Sequence, residues 1–207
     1  MRFLAFEGLD GSGKSTLING LKKEFERRAI KCVLTREPGG TPLGDEIREL
    51  LLRVKGDTPT KRAEALLYQA GRAQHVDQLI KPALAEGKWV LSDRFAASSV
   101  AFQAGGREIS RAEIDWLNQF ATAGLRPDLY VLLDLSTDES ARRLNARGQA
   151  TDRFEREARD FHEKVRRAYL DLAEQRPADW LVLSASEKPE ILLQKMIKAL
   201  VDRTWLE

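Results

Sequence analysis

The sequence predicts an α/β fold in which a parallel sheet is covered by helices on both faces. Three observations support this prediction. Short apolar runs of strand length recur along the chain, they lack polar alternation, and amphipathic helical patterns separate them. Apolar runs without alternation are typical of strands buried on both faces. Strands that alternate with helices form crossover units, and these give a parallel sheet.

The elements follow in order along the chain. Strands are predicted in the apolar runs at 2–6, 31–34, 89–92, 129–135 and 180–183. Helical spacing of apolar residues joins Leu17, Ile18, Leu21 and Phe25, and then Ile47, Leu50, Leu51 and Val54. Further helices are predicted at about 62–86, 111–123, 137–146, 154–175 and 188–202. Because ligands bind beyond the carboxyl ends of strands in such sheets, functional residues are expected directly after the strands.

Length and composition narrow the class of protein. The 207 residues suit one domain, 1–207. Basic and acidic residues number 34 and 32, so the net charge of +2 gives no long-range attraction to nucleic acid or to an anionic membrane. No apolar run reaches the ~18 residues of a membrane span, and Glu7 and Asp10 interrupt the N-terminal apolar run, so no signal peptide is expected. The single cysteine, Cys32, excludes an internal disulfide. We expect a cytoplasmic protein.

The first predicted strand leads into a phosphate-binding motif. Residues 8–15 read GLDGSGKS, a full match to G-x-x-x-x-G-K-[ST]. Glycines let successive backbone amides point at an anion, and the helix that follows turns its positive end toward it. Lys14 is expected at the β and γ phosphates, and the Ser15 hydroxyl at Mg²⁺. The predicted ATP-binding residues are Gly8, Leu9, Asp10, Gly11, Ser12, Gly13, Lys14, Ser15 and Thr16.

Charged residues follow the third and second predicted strands. Asp93 ends one strand, where a carboxylate can order the water shell of Mg²⁺. Arg94 follows it, and a guanidinium there can fork onto an acceptor's phosphate. A surface ion pair is the alternative interpretation. The turn TREPGG brings Glu37 near Arg48, for which an ordinary turn with solvated charges is the alternative.

Three classes of protein carry such a phosphate loop: switches and ATPases, kinases of small molecules, and motors. The N/T-K-x-D motif by which GTP switches usually read guanine does not occur in the sequence. A motor would be longer or would contain several domains. The chain length and the charged residues after the strands therefore favour a small kinase.

Six segments together resemble the bacterial thymidylate kinases. They read FEGLDGSGKST, TREPGGTPLG, ALLYQAGR, SDRFAASSVAFQAGGR, LRPDLYVLLDL and RGQATDRFE, and in order and spacing they cover nearly the whole chain. The resemblance implies a three-layer P-loop fold with a five-stranded parallel sheet flanked by helices, and a small lid. It also implies transfer of the γ-phosphate of ATP to dTMP with Mg²⁺, giving dTDP for dTTP synthesis, and a homodimer.

The resemblance assigns roles to residues of this chain. Asp10 matches an acidic residue that positions the metal and the acceptor phosphate, and Arg94 matches the arginine on the dTMP phosphate. Tyr68 matches an aromatic position, usually Phe, that stacks on thymine, and Arg72 matches the arginine at the thymine edge. Tyr68 and Arg72 are four positions apart, so they lie on the same face of a helix. Phe102 departs from the pattern, where Tyr is commoner. The other matched substrate-binding residues are Glu37, Pro38, Arg48, Ser99 and Gln103.

The segment 145–157, NARGQATDRFERE, resembles the lid of the family. On its residues alone, an exposed loop between two helices is the alternative. Some family members place a basic residue in the phosphate loop, where this chain has Ser12. The catalytic cation is therefore expected from Arg147 or Arg153.

No strong general base is expected, because the nucleophile would already be an anionic phosphate. His75 and His162 are accordingly predicted to be surface or helix-packing residues. Two alternatives to a dTMP kinase stay open. One is a kinase of another small acceptor, such as another nucleoside monophosphate or a deoxynucleoside. The other is a nucleotide-binding regulator without transfer activity.

Overall fold

A computed structural model describes residues 1–54, 56–148 and 152–207, and within these ranges five strands form one parallel sheet. The strands are β1 (Phe3–Glu7), β2 (Cys32–Arg36), β3 (Trp89–Asp93), β4 (Leu129–Asp134) and β5 (Trp180–Ser184). Their order across the sheet is β2-β3-β1-β4-β5, and every neighbouring pair is parallel. The predicted fold class is confirmed, and each strand begins and ends within two residues of the predicted run.

Helices connect the strands. They are α1 (Lys14–Arg27), α2 (Pro42–Leu52), α3 (Lys61–His75), α4 (Lys81–Ala85), α5 (Ala96–Ser99), α6 (Arg111–Thr122), α7 (Thr137–Arg147), α8 (Arg159–Gln175) and α9 (Pro189–Asp202). π-Helical turns at Val76–Ile80 and Val100–Gly106 continue α3 and α5. In the described part of the chain, none of these helices combines the length and the apolar character that crossing a membrane requires.

Both faces of the central strand β1 are buried, which explains its apolar run without alternation. Leu4 and Phe6 pack on one face with Leu21 and Phe25 of α1. Phe3 and Ala5 pack on the other face, in a cluster with Phe95 and Ile80. Burying one such large apolar side chain stabilises the fold by roughly 1.5–3 kcal/mol. The core thus fixes β1 and with it the loop that follows Glu7.

Two helices differ from their predicted bounds. The pattern at 62–86 is one continuous helical run, but a π-helical turn separates α3 from α4. The helix expected from 154 begins instead at Arg159. Asp152 Oδ1 accepts the backbone N–H groups of Phe154 at 2.8 Å and Glu155 at 2.9 Å, and this side-chain cap holds a turn in place of a helix.

Candidate active site

The carboxyl ends of β1, β2 and β3 bring the predicted site residues together at one edge of the sheet. The Arg94 N–H donates to the carbonyl of Phe6 at 2.9 Å, and the Glu37 N–H donates to the carbonyl of Asp93 at 2.9 Å. These bonds extend the strand pairing by one residue beyond each strand. Residues that are distant in the sequence are therefore held in fixed register at this edge.

The phosphate loop requires glycine where it leaves β1. Gly8 has φ +132°, and a Cβ there would lie 2.5 Å from the carbonyl oxygen of Leu133. At the far end of the loop Lys14 starts α1, and its side chain is buried. Its Nζ donates to the carbonyls of Gly8 at 3.2 Å and Leu9 at 3.1 Å. Burial and the charge of Arg94 lower the pKa of Lys14 below its usual range.

Ser15 and Asp93 offer oxygen atoms that suit Mg²⁺. The Ser15 hydroxyl lies 3.4 Å from Oδ2 of Asp93. The other oxygen, Oδ1, is buried and has no hydrogen-bond partner among the described residues. Those residues hold no group of three or more His, Cys, Asp or Glu arranged for a metal. Mg²⁺ needs no such cage, since it is usually bound by one or two carboxylates, waters and substrate phosphates.

A small cleft lies beside this loop. Most of the predicted acceptor residues line it: Asp10, Glu37, Pro38, Arg48, Tyr68, Arg72, Arg94 and Gln103. Phe102 also contributes to its wall. Ser99 is not among the lining residues, and its hydroxyl accepts from Nη1 of Arg72 at 2.8 Å. Ser99 thus helps to hold the guanidinium of Arg72 in place.

Arg94 joins the cleft to the phosphate loop. Its Nη2 donates to Asp10 Oδ1 at 2.8 Å, and its Nη1 donates to the Tyr169 hydroxyl at 3.1 Å. Burial opposes the charged form, but Asp10 raises the pKa of Arg94 well above its usual value. The backbone of Arg94 has the left-handed φ of +73°, which is uncommon outside glycine. The left-handed backbone conformation of Arg94 therefore sets the direction of its guanidinium.

Glu7 supports this conformation from below and was missed in the sequence analysis. The carboxylate is fully buried. It accepts the Phe95 N–H at 2.9 Å, the Ser98 hydroxyl at 2.6 Å and the Tyr169 hydroxyl at 2.8 Å. Burial raises its pKa. A glutamate inside an otherwise apolar strand is the one sequence signal that could have marked it.

Arg72 is buried in the wall of the cleft, and most of its hydrogen bonds go to protein acceptors. They are the side chains of Glu37 (2.7 Å), Gln69 (3.0 Å), Ser99 (2.8 Å) and Asn118 (2.9 Å) and the carbonyl of Phe95 (3.1 Å). Its Nη2 makes only the last of these bonds within the described residues. The second hydrogen of that nitrogen has no acceptor among the described residues.

The two histidines differ in burial. His162 is half-buried and packs edge-on against Phe161, as a helix-packing residue would. Burial lowers its pKa. His75 is fully buried, and its ring nitrogens contact Glu37 at 3.0 Å and Thr35 at 2.6 Å. His75 is thus a buried residue of α3, in line with the predicted helix-packing role. It also makes two polar contacts that the sequence did not indicate.

Arg153 is engaged by acceptors on α2 and α3. Its Nη2 donates to Glu64 Oε2 at 2.6 Å, and its Nε donates to the carbonyl of Leu51 at 2.9 Å. Next to it, Phe154 is buried against Tyr68 and Phe102. The side chain of Arg147, the alternative cation, lies outside the described residues, as do residues 149–151 of the predicted lid.

A second cavity follows the phosphate loop on its other side. Gly11, Ser12, Gly13 and Thr16 line it together with Arg143 of α7. Nη1 of Arg143 donates to the carbonyl of Gly11 at 3.3 Å, and Nη2 donates to the carbonyl of Ala185 at 3.0 Å. Sequence analysis did not single out Arg143, because one arginine in a charged helix gives no signal of its own.

Comparison with known proteins agrees with this geometry. A family model described as thymidylate kinase matches residues 6–197. A protein named thymidylate kinase from Bdellovibrio bacteriovorus is 57% identical over 207 residues, covering 98% of this chain and 97% of the relative. Similar proteins of the same name from Pelotomaculum thermopropionicum and Chromobacterium violaceum are 44% and 48% identical, covering 96% and 89% of this chain and 92% and 86% of the relatives.

Proposed function

The chain belongs to the thymidylate kinase family, and we propose that it transfers the γ-phosphate of ATP to dTMP, giving dTDP. The single observation that carries the proposal is the cleft that joins the phosphate loop to Tyr68 and Arg72. Its lining combines a pair of charged groups, Asp10 and Arg94, with the aromatic ring of Tyr68 and the guanidinium of Arg72. That combination of groups suits a nucleoside monophosphate, with its phosphate near Arg94 and its base near Tyr68.

At the phosphate end, Arg94 is proposed to hold the acceptor phosphate as the nucleophile. Its ion pair with Asp10 at 2.8 Å keeps the guanidinium over the phosphate loop before a ligand binds. An arginine can fork onto two phosphate oxygens, which fixes the direction of attack. Phosphoryl transfer depends mainly on positioning and charge neutralisation, and both are within reach of this pair.

At the base end, the ring of Tyr68 offers a stacking surface and the free N–H of Arg72 offers a donor to a carbonyl of thymine. The residues that fix Arg72 come from α3, α6 and the segment after β3. The donor is therefore rigid, and a rigid donor discriminates between bases by geometry.

On the donor side, the backbone of residues 8–16 is proposed to hold the phosphates of ATP, with the amine of Lys14 leaving its two loop carbonyls for phosphate oxygens. Ser15 and Asp93 are proposed to hold Mg²⁺, directly or through its waters. When bound, the metal neutralises charge on the donor phosphates.

We also propose that residues 145–157 act as a lid. Arg153 of this segment already contacts Glu64 of α3, so a surface onto which the lid can close is present. Arg153, with Arg147 as the alternate, is proposed to neutralise the transferring phosphoryl group once the lid rearranges. Closure would also exclude water and so prevent hydrolysis of ATP.

A homodimer is proposed through α3 and α6. Trp116 and Phe120 of α6 are 66% and 74% exposed and stack on each other at 5.9 Å, and Leu66 of α3 is 56% exposed. The two helices pack against each other. Large exposed apolar residues gathered on adjoining helices are typical of a protein interface.

The small net charge and single cysteine support the further proposal of a cytoplasmic enzyme without nucleic-acid or membrane partners.

A coupled assay of ADP release tests the function. dTMP, dUMP, AMP and thymidine are offered separately and in competition, each with Mg²⁺ and ATP. We expect release that depends on dTMP and is suppressed by EDTA. Faster ADP release with another acceptor would show that the protein is a kinase of that acceptor instead. ATP binding without acceptor-dependent release would point to a regulator.

A further inference from the structure

A buried chain of hydrogen bonds leads from the end of β2 to the acceptor cleft. His75, the last residue of α3, is fully buried. Its Nδ1 lies 3.0 Å from Glu37 Oε1, and its Nε2 lies 2.6 Å from the hydroxyl of Thr35. A carboxylate only accepts hydrogen bonds, so Nδ1 carries the hydrogen and donates it. A neutral ring then has both nitrogens satisfied, with the Thr35 hydroxyl as donor to Nε2.

Glu37 is held from two sides while it still lines the cleft. Oε1 accepts from His75, and Oε2 accepts from Nε of Arg72 at 2.7 Å. Each carboxylate oxygen can accept a second hydrogen bond. The carboxylate is therefore fixed in orientation and retains acceptor capacity for a hydrogen-bond donor of a ligand.

The ring of His75 also packs under the turn that carries Pro38. Gly40 in this turn has φ +81°, and a Cβ there would lie 2.5 Å from the Thr35 hydroxyl oxygen and 2.8 Å from Nε2 of His75. The turn therefore lies directly on the imidazole. Replacing the ring affects both the position of this turn and the orientation of Glu37.

We propose that His75 is a positioning residue which, through Glu37, fixes a hydrogen-bond acceptor in the wall of the acceptor cleft. The proposal rests on the proposed function, and it adds a residue that has no contact with the ligand. Because Arg72 holds only Oε2, loss of the Nδ1 contact lets the carboxylate rotate. The acceptor nucleotide then binds more weakly.

Two amide substitutions separate the two nitrogens of the ring. The side-chain nitrogen of asparagine stands close to the position of Nδ1, and that of glutamine close to Nε2. His75→Asn therefore retains a donor toward Glu37, whereas His75→Gln retains a partner for Thr35 and loses the donor toward Glu37. Each variant is compared with wild type for the KM of dTMP, the KM of ATP and kcat.

For His75→Gln we expect the KM of dTMP to rise about tenfold, on the scale of one hydrogen bond to a charged group. For His75→Asn the KM of dTMP should stay within about threefold of the wild-type value. The KM of ATP should change little in both. A structural role alone predicts equal effects in the two variants, and equal or reversed effects would overturn the proposal.

Two further measurements keep the result decisive. If His75→Gln is too unstable to assay, His75→Leu fills the space without a donor and should show the same rise in KM. Thr35→Val removes the other contact and should leave the KM of dTMP near wild type. Turnover of dTMP by the wild-type protein tests the proposed function separately, since that result does not depend on comparing variants.

Discussion

Glu64 Oε2 accepts a hydrogen bond from Nη2 of Arg153 at 2.6 Å, and this ion pair joins α3 to the segment that follows α7. The same carboxylate is fully buried and also accepts from Gln103 at 3.0 Å and from Arg107 at 3.2 Å. One side chain thus connects a residue of the acceptor cleft with the proposed lid. In the proposed lid role, Arg153 would exchange its contact with Glu64 for one with a phosphate oxygen.

Removing Glu64 should destabilise the protein strongly. Glu64→Ala leaves two largely buried arginines without their shared carboxylate, and breaking such a buried pair costs about 3–5 kcal/mol of unfolding free energy. Denaturation in urea, followed by circular dichroism, measures the change. Glu46→Ala on the exposed side of α2 is the control and should stay within about 0.5 kcal/mol. A loss for Glu64→Ala no larger than the control's would contradict the role of the carboxylate.

The Asp10 carboxylate should make stability depend on acidity. Burial raises its pKa, but Arg94 and Lys14 outweigh this effect and lower the pKa to about 2, from 3.8. A carboxylate with a depressed pKa in the folded state contributes its stability above pH 3.8, and that contribution is lost as the pH falls toward 2. Asp10→Asn should flatten the change in unfolding free energy across this window. An unchanged acid profile in the variant would refute the assignment.

Tyr68 should contribute to binding of the acceptor and not of ATP. Tyr68→Ala is expected to weaken the binding of dTMP by about 1–2 kcal/mol, the scale of stacking between a base and an aromatic ring. Calorimetric titration with each nucleotide measures the effect. Tyr68→Phe keeps the ring face and is the matched control, with affinity near wild type. Equal losses for dTMP and ATP would indicate a folding defect, because Tyr68 also packs against Phe154.

Apolar patterning predicted the sheet because a strand buried on both faces needs an apolar run without polar alternation. The glycine-rich loop and Arg94 were also predicted, since they follow strands. Local sequence could not show where a buried charge finds its partner. Glu64 and Arg153 are 89 residues apart, and Glu7 and Tyr169 are 162 apart. In sequence such residues look like solvated charges or core aromatics, and only the fold brings them together.

The exposed rings of α6 should hold two chains together. Trp116→Glu combined with Phe120→Glu places like charges in the proposed interface, and we expect a monomer by analytical ultracentrifugation. Ile191→Glu is the control, because Ile191 is 41% exposed on α9, which packs on α1 and β5. The control should sediment like wild type. A wild-type protein that is monomeric at micromolar concentration would rule out the interface.

Arg153 should be required for turnover more than for binding. Its partner Glu64 holds it in the structure described here, so the catalytic contact would form only as the lid closes over both substrates. A cation that meets charge mainly in the transition state lowers kcat when removed and leaves ground-state binding nearly intact. An arginine in related phosphoryl transfers is worth roughly 10³–10⁵ in turnover. Because Arg147 could share the role, we expect Arg153→Ala to lower kcat by about 10²–10³.

Arg107→Ala separates this effect from simple loss of the Glu64 cluster, and it decides how the kinetics are interpreted. Arg107 pairs with the same carboxylate at 3.2 Å, but it precedes α6 and lies outside the proposed lid. Its removal should cost stability and leave kcat within about tenfold of wild type, as expected for a group that makes no contact in the transition state. Single-turnover rates for Arg153→Ala, Arg147→Ala, the double variant and Arg107→Ala make the comparison. A double variant with near-normal kcat would exclude both lid arginines, and an equal kcat loss in Arg107→Ala would show that the cluster acts only through folding.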